Sequence, residues 1–210
     1  MDVSRETSPP PEAAAVFGGR LDLARRYVDL LSTDGVVRGL IGPREVPRIW
    51  TRHVVNCALP ATDLPAGASI ADVGSGAGLP GLVWAIMRPD VKITLIEPLL
   101  RRTTFLSEVV DELGLSHVEV RRGRAEEIKE RYDIVTSRAV ASLGKLVRWS
   151  MPLVRPGGQM RAIKGSAAEA EIEESLSTIR AAGGTNPRVA SYGEGVVETP
   201  TTIVIIDKAG

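Results

Sequence analysis

Three glycines at alternate positions, Gly74, Gly76 and Gly78, follow an apolar run that carries Asp72 near its end, and Leu79-Pro80-Gly81 leads back into apolar sequence. Glycines in this pattern let the main chain adopt conformations that a Cβ forbids and let a ligand approach the backbone closely. Pro80 suits the first turn of a helix, where its missing N–H costs nothing. A strand, a glycine turn and a helix in that order form a cradle for a ligand that contains a nucleotide. Glu97 ends the next apolar run in Leu95-Ile-Glu-Pro98. A carboxylate about twenty residues beyond such a turn is placed to accept hydrogen bonds from ribose hydroxyls, although an acid there can also simply stabilise the start of the following helix.

Two ligands compete for this layout. The residues from Gly76 to Gly81 match G-x-G-x-x-G, the fingerprint that seats a dinucleotide pyrophosphate on a helix N-terminus. The match begins two residues late, because Gly74 already follows the strand and Asp72 lies just before it. An acid beside the turn favours a cationic ligand over a pyrophosphate, and S-adenosylmethionine carries both an ammonium and a sulfonium.

The elements that must hold these residues follow from pattern. A chain of 210 residues with 43% hydrophobic content can fill one core and is short for two. Residues 1–66 read as a flexible leader, ending in Pro9-Pro-Pro11, followed by helices that cap the site. One helical stretch runs over 12–31 with a break at Gly18-Gly19, and another over 46–59. From residue 67 to 210 strands alternate with helices in one structural unit. Strands are expected at 69–73, 91–96, 118–121, 133–137 and 159–163, and their β-branched, nearly continuous apolar character fits a parallel sheet covered on both faces. The last two, 188–192 and 201–206, lack a helix between them and form a hairpin, so part of the sheet is antiparallel. The expected fold is a Rossmann-like α/β sheet of seven strands, whose ligand sits at the carboxyl ends of the strands near the point where strand order reverses.

Composition excludes several classes. Cys57 is the only cysteine, so no intrachain disulfide exists and a reducing compartment is the simpler setting. No apolar run is long enough to span a bilayer and the first residues lack a signal-peptide layout, which points to a cytoplasmic protein. No histidine or cysteine cluster has metal-ligand spacing, so no metal is expected. Lys plus Arg balance Asp plus Glu at 26 each. Any attraction to phosphate must therefore come from local groups such as Arg44, Arg48 and Arg52, Arg101 and Arg102, or Arg121, Arg122 and Arg124. Trp50, Trp84 and Trp149 are scattered and read as core residues rather than a stacking platform.

The stretch from Asp72 to Gly81 resembles the cofactor loop of class I S-adenosylmethionine-dependent methyltransferases. In its extended form it is similar to the RsmG (GidB) family, which methylates N7 of a guanine in 16S ribosomal RNA of the small subunit. Further motifs match in the family's order: Arg52-His53; Leu95-Ile-Glu-Pro98 with Arg101-Arg-Thr-Thr-Phe-Leu106; Gly123-Arg-Ala-Glu-Glu127; Ser137-Arg-Ala-Val-Ala-Ser-Leu143; and Gly157-Gly-Gln-Met-Arg-Ala-Ile-Lys-Gly165. The resemblance covers roughly residues 45–206.

Carried over, the resemblance implies cofactor contacts at Gly74, Leu79, Ala125, Glu126 and Arg138. Asp72, Gly76, Gly78 and Glu97 line the same pocket. Ala125 and Glu126 would hold the adenine edge, while Glu126 is equally readable as a surface residue. Arg138 follows the fourth strand, where cofactor and substrate meet; its alternative is an ion pair with a carboxylate such as Asp72. Lys164 closes the fifth strand and is assigned to phosphate or substrate. Arg52 and His53 sit on the capping segment and touch RNA, or else His53 is a hydrogen-bonded packing residue. His117 has no motif context. Where many relatives carry a basic residue before the last strand, this chain has Glu198-Thr-Pro-Thr-Thr202, which puts an RNA phosphate contact there in doubt.

Guanine N7 offers a free lone pair, so methyl transfer to it needs no deprotonation and can rest on alignment and desolvation. The absence of an evident catalytic base agrees with that. Arg52, His53, Arg138 and Lys164 are expected to position RNA, either naked 16S RNA or the small ribosomal subunit, for a monomeric enzyme. The competing readings are a methyltransferase acting on a small molecule or a protein, an NAD-linked oxidoreductase, and a non-catalytic RNA-binding module.

Overall fold

The computed structural model describes residues 8–138 and 140–210. Its centre is a seven-stranded sheet in the order β3-β2-β1-β4-β5-β7-β6. The strands are β1 (Ser69–Val73), β2 (Lys92–Glu97), β3 (Val118–Arg122), β4 (Tyr132–Arg138), β5 (Val154–Lys164), β6 (Gly184–Tyr192) and β7 (Thr201–Lys208). The first five run parallel, and β7 inserts antiparallel between β5 and β6. Strand order reverses between β1 and β4, the position at which an open α/β sheet leaves a crevice at its carboxyl edge.

Helices cover both faces. α1 (Pro11–Phe17), α2 (Leu21–Leu30), α4 (Gly81–Met87) and α5 (Leu100–Leu113) lie on one side, and α6 (Leu143–Ser150) and α7 (Ala168–Ala181) on the other. The buried residues of α1 and α2, among them Phe17, Tyr27 and Leu31, share one apolar cluster with Ile70, Ile93 and Leu95 of the sheet. α5 ends where Gly114 turns left-handed at φ 64, the stop that glycine makes at low cost.

The two-residue period of the strands decides where the rim side chains go. In β1, Ile70 faces the α4 side while Ala71 and Val73 face α6 and α7, so Asp72 lies on the α4 side. The same alternation places Glu97 beyond Ile93 and Leu95, and Arg138 beyond Ile134, on that face. Lys164 follows Met160 and Ala162 on the opposite face.

The segment before β1 departs from expectation. Instead of one helix over 46–59 there is a chain of short pieces: a 3-10 turn at Pro43–Arg48, a π-helical turn at Ile49–Val55, α3 (Asn56–Ala58) and a second 3-10 turn at Leu59–Asp63. Pro47 and Pro60 fall inside this stretch and cannot donate the backbone hydrogen bond that a continuous α-helix requires. The π-helical turn carries Arg52 and His53, and wide turns of this kind often coincide with functional sites. Two further elements are longer than expected. β5 starts at Val154 because Gly158 lets the strand approach the Asp133 carbonyl, where a Cβ would stand only 2.5 Å away. β6 starts at Gly184 and accommodates Pro187 because it is an edge strand.

Cross-links fix the capping segment to the sheet and to α4. The buried Arg161 guanidinium reaches Asp63 Oδ1 at 2.6 Å, Tyr192 donates its hydroxyl to Asp63 Oδ2 at 2.7 Å, and the Trp84 indole N–H donates to the Cys57 carbonyl at 2.8 Å.

Candidate methyl-donor and substrate site

Above the β1–β4 crossover the glycine turn is held almost entirely by its own environment. Gly74 and Ser75 donate their N–H groups to the Ile96 carbonyl, and Gly78 and Leu79 donate to the Ser75 carbonyl. Gly76 N–H donates to Glu97 Oε2 at 3.0 Å and Gly81 N–H to Asp72 Oδ2 at 3.0 Å. Tyr27, fully buried, donates its hydroxyl to the Ala77 carbonyl at 2.9 Å, and its burial pushes its pKa well above the usual phenol value.

This distribution bears on which ligand the turn can take. A pyrophosphate needs free N–H donors at the start of the helix, but there the Gly81 N–H is bound by a carboxylate and the Leu82 N–H by the Gly78 carbonyl. The loop already carries two buried acids, Asp72 at 0% and Glu97 at 1% exposure, so a cation is the better guest. Asp72 Oδ1 is buried with no hydrogen-bond partner. Burial raises the Asp72 carboxyl to about 7, against the hydrogen bond from Gly81 that holds it down.

A cavity of about 590 Å³ opens over the turn, with Gly74, Gly76, Leu79, Glu97, Arg102, His53 and Arg138 on its walls. A smaller one of about 280 Å³ continues toward the end of β3, bounded by Gly123, Ala125, Glu126 and Trp149. Both are lined by Gly74, Pro98 and Val140. Val140 stands over Gly74, where an added Cβ would come within 2.9 Å of it. The two spaces form one groove partitioned by that valine. Glu97 sits on its wall with Oε1 accepting from Leu99 N–H at 3.1 Å and Oε2 facing Arg102 at 3.5 Å, so it serves the helix start as well as the cavity. The groove fits S-adenosylmethionine: a buried acid for ribose hydroxyls, an apolar slot beside Ala125 and Trp149 for adenine, and anionic surroundings for the charged end.

Arg138 crosses from this groove to the capping segment. Its guanidinium donates to the Arg52 carbonyl at 3.2 Å, to His53 Nδ1 at 2.8 Å and toward Cys57 Sγ at 3.6 Å. It forms no ion pair with Asp72, contrary to one sequence reading; the capping segment takes its donors instead. His53 Nε2 meets Glu45 Oε2 at 2.8 Å. With Nδ1 accepting, the ring is neutral and Nε2 carries the proton. Burial first, and the adjacent Arg138 charge second, hold the His53 pKa below its usual value. The same burial raises the Cys57 thiol to about 11, which leaves it protonated and inert.

A third cavity, of about 450 Å³, lies beyond Arg138 over the ends of β4 and β5 and the start of β7. Arg52, Asn56, Arg138, Lys164, Glu171 and Thr202 contribute to it. The sequence-assigned residues thus fall into two neighbouring spaces joined by Arg138. Asp72 and Gly78 line neither wall: Asp72 props the turn from beneath, and Gly78 packs against Leu82. His117 bonds the Ala85 carbonyl at 3.1 Å. Sequence reasoning passed over Trp149, which borders the small cavity rather than being core alone, and also Tyr27, Glu45, Val140 and Glu171. Among the described residues no group of His, Cys, Asp or Glu could hold a metal ion, and no helix is long and apolar enough to cross a membrane.

Fold and groove together define a class I methyltransferase. Among solved structures, the ribosomal protein L11 methylase from Lactobacillus delbrueckii subsp. bulgaricus shares this fold with a TM-score of 0.57 at 10% identity, over 76% of this chain and 79% of that one. The model of the GidB family, rRNA small subunit methyltransferase G, matches residues 20–198. The chain belongs to this family, whose methyl donor is S-adenosylmethionine. A ribosomal RNA small subunit methyltransferase G from Corynebacterium glutamicum is 55% identical over 202 residues, covering 94% of this chain and 91% of its own. The protein of the same description from Nocardioides sp. is 56% identical over 207 residues, covering 97% and 83%.

Proposed function

We propose that this enzyme transfers a methyl group from S-adenosylmethionine to N7 of a guanine in 16S ribosomal RNA, acting as a cytoplasmic monomer. The observation that carries the reading is the junction at Arg138: one arginine lines both the groove suited to a cationic nucleoside donor and a separate polar cavity able to hold a base. The bound donor supplies an electrophilic methyl, so that the N7 lone pair forms the new N–C bond while the C–S electron pair returns to sulfur and no proton has to leave N7.

The residues of the chain then have positional tasks. His53, Arg52 and Cys57 occupy donors of Arg138, which keeps that side chain from competing for the N7 lone pair. The neutral His53 offers no proton toward the base. Lys164 is anchored by Glu171 at 2.7 Å and the Ala141 carbonyl at 3.1 Å, leaving one N–H of its ammonium for substrate. The two cavities bring donor and acceptor together in fixed orientation, the main source of acceleration for a nucleophile that needs no base.

The test is transfer of labelled methyl to naked 16S RNA and to intact small subunits in parallel, with N7-methylguanine mapped by chemical strand scission. Label at one guanine N7 is expected. Failure of both substrates, or label elsewhere than N7, overturns the assignment.

A further inference from the structure

We infer that Glu171 is the residue that recognises the target base as guanine, by accepting hydrogen bonds from its N1–H and 2-amino group within the 450 Å³ cavity beyond Arg138. This deepens the proposed guanine methylation and rests on it. The volume lies within the usual range of small-ligand sites.

Glu171 lies on α7, close to its start, and turns back over the end of β5. Its Oε2 accepts from the Leu143 N–H at 2.8 Å and forms an ion pair with Lys164 Nζ at 2.7 Å. These two bonds fix the carboxylate plane. Oε1 has no hydrogen-bond partner among the described residues, and the side chain remains 24% exposed in the cavity. A carboxylate held rigidly by one oxygen and open at the other is an acceptor prepared for a donor pair. Guanine presents such a pair at N1–H and N2, whereas adenine offers an acceptor at N1 and would set a lone pair against the carboxylate oxygen once the base excludes water from it. Lys164, alongside, has a remaining N–H for the neighbouring O6.

The same placement is right for the chemistry. N1–H and the 2-amino group lie on the far side of the six-membered ring from N7. A base whose Watson–Crick edge meets Glu171 can therefore turn N7 toward Arg138 and the groove it shares. Alkylation at N7 leaves positive charge on the purine, and a nearby carboxylate stabilises that charge more as it develops than in the starting base.

Glu171→Gln keeps the size and one acceptor but presents an amide N–H where the base donates. Small-subunit RNA carrying guanosine or inosine at the mapped position is the probe, since inosine lacks only the 2-amino group. For the unaltered enzyme, inosine is expected to lower kcat/KM by about ten- to a hundredfold. Glu171→Gln is expected to lose at least about tenfold on guanosine and to treat the two substrates nearly alike. Glu171→Ala provides the same comparison, and unchanged affinity for S-adenosylmethionine with an unchanged melting curve shows that each variant is folded. An unaltered guanosine-to-inosine ratio in the variants, or no discrimination by the unaltered enzyme, overturns the inference while N7-methylguanine still forms. If no guanine N7 is methylated at all, the parent reading falls and this one with it.

Discussion

Asp72→Asn tests whether the acid beneath the glycine turn is a stored cost of the site. The carboxyl is fully buried and its pKa stands at about 7 rather than the usual 3.8, so the folded state binds a proton more tightly than the unfolded chain. Stability attributable to this group is therefore highest below pH 3.8, falls as pH rises toward 7, and is constant above. Converted at the usual free energy per pKa unit, the loss is about 2 kcal/mol at pH 5 and about 4 kcal/mol at pH 8. Asparagine retains an oxygen for the Gly81 N–H and removes the charge, so it should gain on the wild type by roughly 2–3 kcal/mol between those two pH values. Urea unfolding of both proteins at pH 5 and pH 8, under conditions of equal ionic strength, measures that difference. Parallel stability curves would refute the reasoning, because they would mean that the ionised carboxylate is accommodated at no cost. Calorimetric titration should show weaker binding of S-adenosylmethionine to the more stable variant, as the negative charge beneath the cationic ligand is gone.

Three further outcomes follow from the geometry. Gly81→Ala would drive a Cβ into Leu95 and to 2.7 Å from Asp72 Oδ2; a loss of about 1–3 kcal/mol in unfolding free energy, with weaker cofactor binding by calorimetry, is expected. In Glu45→Gln, His53 loses the carboxylate that favours its protonated form, so NMR titration of its imidazole should show a midpoint below that of the wild type. Lys164→Ala should reduce methyl transfer to RNA by about tenfold or more while leaving calorimetric affinity for S-adenosylmethionine nearly unchanged; equal loss of both would place the lysine in the wrong cavity.

Most of the sheet was legible because its signals are local. The alternation of β-branched strands with helical segments, and the change of pattern at the last two strands, gave the parallel sheet and its antiparallel end without any knowledge of contacts. The faces of Asp72, Glu97 and Arg138 were also readable, since each stands at or next to the end of a strand and a two-residue period assigns its side, although Asp72 props the turn instead of lining the pocket. What escaped were partners brought from a distance. Arg138 meets His53 across 85 residues of sequence, and nothing near Arg138 signals that its donors go to a capping segment rather than to Asp72. Glu171 reads as an ordinary acid in the first turn of a helix, its usual dipole position, until the fold lays that turn over Lys164. The segment over 46–59 departs from its helical apolar spacing: Pro47 and, just past its end, Pro60 sit in the 3-10 turns that flank it, while the π turn between them has no signal in the sequence. Trp149 looked like core because a scattered aromatic carries no directional information.

The insertion of β7 between β5 and β6 has a consequence for how the enzyme comes into being. Thr201 Oγ1 donates to the Asn56 carbonyl across 145 residues, and Asn56 Nδ2 reaches the Thr199 carbonyl across 143 at 3.4 Å. The β7 side of the third cavity is thus joined to the capping segment through Thr199 and Thr201, residues far along the chain from Asn56. A nascent polypeptide emerges from its amino end and builds local structure as it goes, so the donor groove, made by residues up to Trp149, can be assembled well before the base cavity has its third side.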